Sequence, residues 1–368
     1  MDYRPEENIC FLVYILNTTY YILHSSVKTV VIIGGGTGTF TLLQGLRQFP
    51  INNIVIVSTA DDGGSTGVLR RDLGIMPMGD IRQCLIGLSY TVPTLQKLFT
   101  YRFDTGSLKG HNAGNIILAT LQKISGSPEG AIAEAARLLN VRGEVLFVSR
   151  QPTTLSARLA DGMLIKSEHE LDEPATKKRA PIKKLMLTPA RIFGEKIRSG
   201  KQAEANPRVL DALARADAIV LGPGDLYTST FPNLLVPGIV EAIKASKGKK
   251  ILITNIMTKL GQTDGFKVSD FVREVNAYLD GNENSPAIDA VIVNTQKPRP
   301  NILARYVKEK ASFVQPDIEK VKKLGMQVIA KAVISNHLEK KAKGDGLSRS
   351  HVRHDSEKIA EIIWDLIK

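Results

Sequence analysis

Two hydrophobic periodicities alternate along the chain, and this alternation predicts strands followed by helices. From Lys28 onward, the four consecutive β-branched residues Val30 to Ile33 predict a buried strand. The apolar side chains that follow recur at helical spacing, at Phe40, Leu42, Leu43 and Leu46. The next apolar run, Ile54 to Ser58, predicts a second strand after this helix.

The same alternation continues to the end of the chain. Further strands are predicted at Ala218 to Leu221, Lys250 to Thr254 and Ala290 to Val293. Further helices are predicted at Gly79 to Leu88, from about Gly110 to Ile124, and at Asn233 to Ala245, Val268 to Leu279 and Glu357 to Ile367. Such a succession predicts an α/β fold whose mostly parallel sheet is covered by helices on both faces.

Between about residues 140 and 190 the pattern changes to short alternating runs. Antiparallel strands are predicted at Glu144 to Val148, Leu155 to Leu159, Met163 to Lys166 and Lys184 to Leu187. The Asp161-Gly162 pair is typical of a hairpin turn. We interpret residues 140–190 as a small β-rich insertion in an α/β domain of residues 27–368, with a loop from Asp172 to Lys184.

Residues 1–26 form an N-terminal extension, which we expect to be poorly ordered. Its apolar runs, Ile9 to Leu16 and Tyr20 to Leu23, are shorter than the ~20 residues of a membrane span. The extension also lacks the positively charged start and small-residue cleavage site of a signal peptide. We therefore expect no membrane span, with a weak membrane anchor as the less favoured alternative.

Composition and charge narrow the partners. The chain of 368 residues is 43% hydrophobic and 23% charged, and its net charge of +12 suits anionic partners. Its basic clusters, such as Lys177-Lys178-Arg179, are not interleaved with aromatic side chains as in a nucleic-acid platform, which favours a phosphate-bearing ligand over nucleic acid. Cys10 and Cys84 have no pairing or metal spacing, as is typical of a reducing compartment, and Cys84 is expected in the core.

A glycine-rich turn, Gly34-Gly35-Gly36-Thr37-Gly38, joins the first strand to its helix. Such a junction presents backbone N–H groups and the positive end of the helix dipole, which suits a phosphate. No Lys follows Gly38, so the phosphate-loop pattern fails, and the dinucleotide fingerprint fails because Thr39 stands where its third glycine would be. A nicotinamide dehydrogenase is therefore disfavoured, and a plain tight turn remains the alternative.

Polar turns follow the carboxyl ends of four predicted strands. They are Gly34 to Gly38, Asp61 to Ser65, Gly222 to Asp225, and the segment from Asn255. Because ligands bind at this edge of a parallel sheet, we expect the four turns to form one site.

The adjacent Asp61 and Asp62 are the candidate catalytic residues. They could bind Mg²⁺ together with phosphate and water, orient a sugar hydroxyl, or act as a base. The alternative is a structural role for Asp as turn former and helix cap, with Gly63 and Gly64 supplying positive φ.

Two further segments offer polar side chains. In Gly79-Asp80-Ile81-Arg82, Asp80 could cap a helix and leave Arg82 in its first turn, free to meet phosphate or simply exposed. His111 stands at a predicted helix start, where a structural hydrogen bond is more common than catalysis. No zinc spacing and no nucleophile elbow occurs in the sequence.

Taken together, the ordered motifs resemble the gluconeogenesis factor family, in the superfamily shared with 2-phospho-L-lactate transferase (CofD-like). The resemblance covers about residues 28–368. Its motifs are Gly34 to Gly38, Ala60 to Arg70, Gly79 to Arg82, Gly110-His111 with Gly114-Asn115, Leu221 to Ser229, Pro232 to Gly238, Asn255 to Thr258, Arg305-Tyr306 and Arg353-His354-Asp355.

This resemblance implies a Rossmann-like three-layer α/β/α fold and a cytoplasmic bacterial protein that binds UDP-sugars such as UDP-N-acetylglucosamine. It implies a regulatory role that links gluconeogenic carbon metabolism to cell-wall synthesis and cell shape, with cell-wall synthesis proteins as partners and a homo-oligomeric state. A UDP-sugar is the expected ligand, with Mg²⁺ as an optional ion. Tyr306 and Arg353 match family positions at the nucleotide end, where a Tyr ring can stack on uracil and an Arg can bind diphosphate.

The expected ligand-binding residues combine these motifs. They are Gly34, Gly35, Gly36, Thr37, Gly38, Asp61, Asp62, Gly63, Gly64, Ser65, Arg82, His111, Asn115, Gly222, Pro223, Gly224, Asn255, Tyr306 and Arg353. The chain departs from the family pattern at Gln83, where Asn is usual, and at Gln262, where Glu is common. It also lacks the second acidic run of the phospholactate-transferase branch, which counts against transferase activity. A Mg²⁺-dependent phospho-group transferase with a nucleotide-activated donor, which the Asp61-Asp62 pair favours, is therefore kept only as the alternative function.

Overall fold

The computed structural model describes residues 27–174, 179–190, 202–284, 286–335 and 352–368. The N-terminal extension of residues 1–26, including Cys10, and part of the predicted loop between Asp172 and Lys184 therefore lie outside the described residues.

A seven-stranded parallel sheet forms the centre of the fold. Its strands are Lys28–Ile33 (β1), Ile51–Val57 (β2), Glu144–Phe147 (β3), Ala218–Leu221 (β7), Lys249–Ile253 (β8), Ala290–Asn294 (β9) and Gln327–Lys331 (β10), in the order β10-β9-β8-β7-β1-β2-β3. Strand order changes direction at β1, which lies between β2 and β7. Ligands bind at the carboxyl ends of the strands beside such a switch point.

Burial of both faces explains why the strands are continuous apolar runs. Val31 and Ile33 belong to one hydrophobic cluster, whereas Val30 and Ile32 belong to a second cluster on the opposite face. All four side chains are fully buried. The predicted α/β architecture with a sheet covered on both faces is confirmed.

The helices lie between these strands in the chain. They are Gly36–Leu46 (α1), Gly64–Leu73 (α2), Met78–Gly87 (α3), Pro93–Thr100 (α4), Ala113–Ser125 (α5), Pro128–Leu138 (α6), Glu168–Asp172 (α7), Pro207–Ala214 (α8), Phe231–Leu234 (α9), Ile239–Ala245 (α10), Val268–Asp280 (α11), Pro300–Lys308 (α12), Ile318–Lys322 (α13) and Ser356–Ile367 (α14). A short π-helical turn, Leu226–Thr230, precedes α9. Cys84 lies fully buried in α3, as predicted.

A second, antiparallel sheet contains three strands. They are Thr153–Leu159 (β4), Leu164–Ile165 (β5) and Ile182–Pro189 (β6), in the order β5-β4-β6. The predicted hairpin at Asp161-Gly162 joins β4 to β5, and Met163 N donates a hydrogen bond to Asp161 Oδ1 (3.0 Å). The predicted loop from Asp172 to Lys184 is too long, because β6 begins at Ile182.

Two sequence-based predictions of elements are wrong. Glu144 to Val148 is not part of the antiparallel set, because β3 pairs in parallel with β2 as the edge strand of the main sheet. A four-residue strand with buried apolar side chains carries no periodicity that separates the two cases. The single helix predicted from Asn233 to Ala245 is divided into α9 and α10, because Pro237-Gly238 interrupts it and Gly238 adopts φ +89°.

Gly45 in α1 supplies a stability test. A Cβ atom there would collide with the carbonyl oxygen of Ser356, where α14 packs against α1. Gly45→Ala should therefore lower the free energy of unfolding by about 1–3 kcal/mol, although Ala favours an exposed helix by about 1 kcal/mol. Urea denaturation measures the change, with the exposed neighbour Gln44→Ala as the control expected to be neutral. A stabilised Gly45→Ala protein would contradict this packing.

Candidate functional site

One pocket of about 650 Å³ lies at the carboxyl edge of the main sheet. Residues that follow β1, β2, β7 and β8 line it, as the four converging turns predict. Its volume is in the range of small-molecule sites, about 300–1,000 Å³. Further lining residues come from α3, from α7 and the residues after it, and from α12 and the segment Val352 to His354.

The glycine turn after β1 is shaped by protein contacts at two positions. A Cβ at Gly35 would collide with the carboxylate of Asp80, and a Cβ at Gly38 would collide with the carbonyl of Pro223. The Gly36 backbone N–H donates a hydrogen bond to the Asp80 carboxylate. A carboxylate of the protein itself therefore occupies part of the anion-binding end of α1.

Asp80 is not the helix cap that the sequence suggested. Helix α3 begins at Met78 after Pro77, so Asp80 lies inside its first turn. Desolvation, followed by the negative charge of Asp61, raises the pKa of Asp80 to about 7. The carboxyl group therefore titrates near neutral pH.

The Asp61-Asp62 pair is divided by the fold. Asp61 lines the pocket, and its Oδ1 accepts a hydrogen bond from Gly63 N (3.0 Å). Desolvation raises the pKa of Asp61, and the charge of Asp62 adds to this shift. The Asp62 carboxylate instead accepts a hydrogen bond from His169 N (2.8 Å), which fixes α7 beside the pocket. Asp62 is not among the lining residues.

Arg82 lines the pocket but is neither exposed nor free. It is 5% exposed, its Nε donates to Asn115 Oδ1 (2.8 Å), and one guanidinium nitrogen donates to the Phe99 carbonyl (3.2 Å). His111 has a structural contact, because its Nδ1 lies 3.3 Å from Ser65 Oγ. Both side chains therefore hold neighbouring segments in place.

The pocket contains a group of acidic side chains that the sequence pattern does not predict. Glu168 and Asp172 from α7 and Asp225 after β7 line the pocket with Asp61 and Asp80. Desolvation raises the pKa of Glu168, and Asp61, Asp172, Asp62 and Asp80 raise it further. We call Asp61, Asp80, Glu168, Asp172 and Asp225 the acidic group. Of the three members that the sequence did not predict, only Asp225 had a signal, because it ends the turn Gly222 to Asp225. Glu168 and Asp172 had none, because α7 is too short to show a pattern.

Lys259 forms ion pairs with two members of the acidic group. Its Nζ lies 3.1 Å from Asp172 Oδ1 and 3.4 Å from Asp225 Oδ2. Burial alone would lower the pKa of Lys259, but Asp225 and Asp172 raise it above its ordinary value. Desolvation raises the pKa of Asp225 although Lys259 opposes this shift. Lys259 therefore links α7 to the loop after β8.

Arg179 holds the same loop from the other side. Its guanidinium donates to the carbonyls of Gly261 (2.5 Å) and Leu171 (3.1 Å). Together with Lys259, it fastens the end of α7 to the residues that follow β8. The small antiparallel sheet is thereby connected to the pocket wall.

A different set of lining residues surrounds Tyr306. The phenol is 4% exposed, and its oxygen accepts a hydrogen bond from Val352 N (3.0 Å). Arg353 and His354 follow Val352 and also line the pocket. Burial lowers the pKa of His354 to about 4, so the imidazole is neutral at physiological pH. Tyr306 therefore positions the segment that carries Arg353 and His354.

Most of the predicted ligand-binding residues line the pocket. Those that do are Gly35, Gly36, Thr37, Gly38, Asp61, Gly63, Ser65, Arg82, Asn115, Pro223, Gly224, Asn255, Tyr306 and Arg353. Those that do not are Gly34, Asp62, Gly64, His111 and Gly222. Gly34, Asp62, Gly64 and Gly222 lie in turns whose other residues line the pocket, and His111 contacts Ser65, which lines it.

Across residues 27–174, 179–190, 202–284, 286–335 and 352–368, no group of three or more His, Cys, Asp or Glu side chains is arranged to hold a metal ion. The separation of Asp61 from Asp62 also removes the two-carboxylate ligand set suggested for Mg²⁺. Within the same part of the chain, no helix has the length and hydrophobicity needed to cross a membrane.

Known proteins are similar to this chain in sequence and fold. The family model described as 2-phospho-L-lactate transferase CofD matches residues 30–334. The gluconeogenesis factor of Halalkalibacterium halodurans is 39% identical over 340 residues, which are 92% of this chain and 96% of the relative. The gluconeogenesis factor of Bacillus subtilis (strain 168) is 36% identical, with coverages of 92% and 98%. A crystal structure of a UPF0052 family protein from Bacillus halodurans has a TM-score of 0.80 at 37% identity and covers 92% of this chain and 99% of that one.

The pKa of Asp80 predicts a pH-dependent effect of Asp80→Asn. The pKa of Asp80 is about 7 in the folded protein and 3.8 ordinarily, so the folded state holds the proton more tightly than the unfolded state. The resulting contribution to the free energy of unfolding is fully present below about pH 4 and is lost as the pH rises through 7. The substitution removes this loss, so the free energy of unfolding should rise more at pH 8 than at pH 4.5, by about 3 kcal/mol.

Urea denaturation of Asp80→Asn at the two pH values measures this difference. Asn retains an oxygen that can accept the Gly36 N–H, so the turn should stay intact. Asp104→Asn, at an exposed position, is the matched control. An equal effect of Asp80→Asn at both pH values would be evidence against a protonated, desolvated carboxyl group.

Proposed function

The chain belongs to the gluconeogenesis factor family of the CofD-like superfamily, and on this premise we propose that its pocket binds a UDP-sugar of the UDP-N-acetylglucosamine type. The observation that carries the proposal is one pocket with two chemically different sets of lining residues. Acidic side chains suit the hydroxyl groups of a sugar, whereas Tyr306, Arg353 and His354 suit a nucleotide.

The diphosphate would lie between these two sets. Helix α1 has 11 residues, and its N-terminus, which Asp80 partly occupies, lines the pocket at Gly36, Thr37 and Gly38. Gly224 approaches the same turn, since a Cβ there would lie 3.8 Å from the Gly35 carbonyl oxygen. Arg353 supplies a cation that can bind phosphate oxygens.

Burial of the Tyr306 ring limits its part in binding. With only 4% of its surface exposed, Tyr306 does not offer uracil an open ring face for stacking. Its support of Val352 makes it a positioning residue for Arg353 and His354 in this proposal. The apolar contacts of a base would come from Ile256 and Met257, which line the same part of the pocket.

The proposed role is regulatory. Binding of a cell-wall precursor would link gluconeogenic carbon metabolism to cell-wall synthesis and cell shape, in a cytoplasmic homo-oligomer that contacts cell-wall synthesis proteins. The gluconeogenesis factor name of the relatives supports the metabolic half of this role. The division of residues 140–190 into an inserted subdomain stays a prediction.

A phospho-group transferase with a nucleotide-activated donor is the second candidate. The name of the matching family model and the position of Asp61 in the pocket favour it. Asp61 would act as a base toward an acceptor hydroxyl, which its raised pKa suits.

Isothermal titration calorimetry with UDP-N-acetylglucosamine tests the binding proposal. We expect saturable binding, and Arg353→Gln should weaken it roughly 10- to 100-fold, because a hydrogen bond to a charged group contributes about 1.5–3 kcal/mol. Arg305→Gln, at an exposed position outside the pocket, is the matched control. Absence of heat with UDP-N-acetylglucosamine and with other UDP-sugars would disprove the proposal.

Release of nucleotide from uridine- and guanosine-activated donors in the presence of Mg²⁺ tests the transferase. Turnover should fall at least about 100-fold in Asp61→Asn if Asp61 is the base. Asp62→Asn should retain turnover, since Asp62 lies outside the pocket and Asn keeps an oxygen that can accept the His169 N–H. Turnover that is absent in the wild-type protein, or lost only in Asp62→Asn, would rule out this role for Asp61.

A further inference from the structure

The acidic group contains more carboxyl groups than its one bound cation can pair with. Lys259 forms its ion pairs with Asp172 and Asp225. In the part of the chain that the structure describes, no Lys or Arg side chain forms an ion pair with Asp61, Asp80 or Glu168. The guanidinium of Arg82, whose charge opposes the rise in the pKa of Asp80, donates hydrogen bonds to Asn115 and to the Phe99 carbonyl.

Glu168 differs from the other members of the acidic group. Asp61 accepts a hydrogen bond from Gly63 N, and Asp80 accepts one from Gly36 N. Among the described residues, the Glu168 carboxylate accepts no hydrogen bond, although it is partly buried in the pocket wall. Its role in holding the fold is therefore small, and its oxygens are available to a ligand.

His354 independently indicates a ligand that donates hydrogen bonds. The residue is 9% exposed, and its ring is hydrogen-bonded to the Thr254 backbone while Nε2 has no partner among the described residues. A neutral imidazole that donates from Nδ1 to a carbonyl has an acceptor at Nε2. The pocket thus contains an unsatisfied buried acceptor in addition to the carboxylates.

We infer that the pocket selects an uncharged sugar rich in O–H and N–H groups and rejects a sugar that carries a carboxylate, with Glu168 as a specificity-determining residue. The inference rests on the proposed UDP-sugar function. Hydroxyl and amide groups of the sugar satisfy carboxylate acceptors, whereas a sugar carboxylate would add a further negative charge to carboxyl groups that already repel one another.

The matched ligands for the test are UDP-N-acetylglucosamine and UDP-N-acetylglucosaminuronic acid, which differ only at C6, where CH₂OH is replaced by a carboxylate. Calorimetry at one pH and one ionic strength gives the ratio of their dissociation constants. Wild-type protein should bind the uncharged sugar at least about tenfold more tightly, because like charges brought together at an interface are strongly disfavoured.

Glu168→Gln tests the specificity-determining residue. Gln keeps a hydrogen-bonding side chain of similar size but cannot carry a negative charge. The ratio of the dissociation constants of the acidic and the uncharged UDP-sugar should therefore fall several-fold, mainly through tighter binding of the acidic sugar. Glu170→Gln is the matched control, because Glu170 lies on the same helix, is exposed and does not line the pocket. Binding of UDP-N-acetylglucosamine by each variant shows that its site is folded.

The outcomes separate the inference from the proposed function. Equal wild-type affinities for the two ligands would overturn the inference and leave the UDP-sugar proposal standing. A ratio unchanged in Glu168→Gln, or narrowed equally in Glu170→Gln, would overturn the role of Glu168. Failure of the wild-type protein to bind either ligand would overturn the proposed function and the inference with it.

Discussion

The contact between the Asp80 carboxylate and the turn after β1 is the constraint on which the site depends. It requires the absence of a side chain at Gly35, and it fills part of the anion-binding end of α1 from within the protein. It also joins α3 to the β1–α1 junction at the switch point of the sheet. Any phosphate group at this turn must therefore share the helix end with a carboxylate.

Desolvation and like-charge repulsion together set the pKa values of the acidic group. Removal of carboxylates from water raises the pKa of Asp61, Asp80 and Glu168, and each charge raises the pKa of its neighbours. Lys259 offsets this repulsion only at Asp172 and Asp225. Burying such ion pairs costs desolvation energy and adds little to the stability of the fold. Their presence in a pocket is therefore better explained by ligand binding than by stability.

The antiparallel sheet is tied to the pocket through its helix α7. The Asp62 carboxylate accepts the amide of His169, and Arg179 donates to the carbonyls of Leu171 and Gly261. These contacts place Glu168 and Asp172 in the wall of the pocket that the glycine turn of the main sheet also lines. The pocket therefore combines side chains from a large parallel sheet with side chains from an element that has a separate topology.

The sequence by itself determined the parallel strands and the turns after β1, β2, β7 and β8, because fully buried β-branched runs and polar turns leave a local pattern. It also determined the family, through motifs such as Ala60 to Arg70. Only the tertiary structure decided the pairing of β3, the separation of Asp61 from Asp62, the burial of Arg82 and the inclusion of Glu168, Asp172 and Lys259. Each of these depends on contacts between residues far apart in the chain, and neither hydrophobic period nor residue spacing carries information about such contacts.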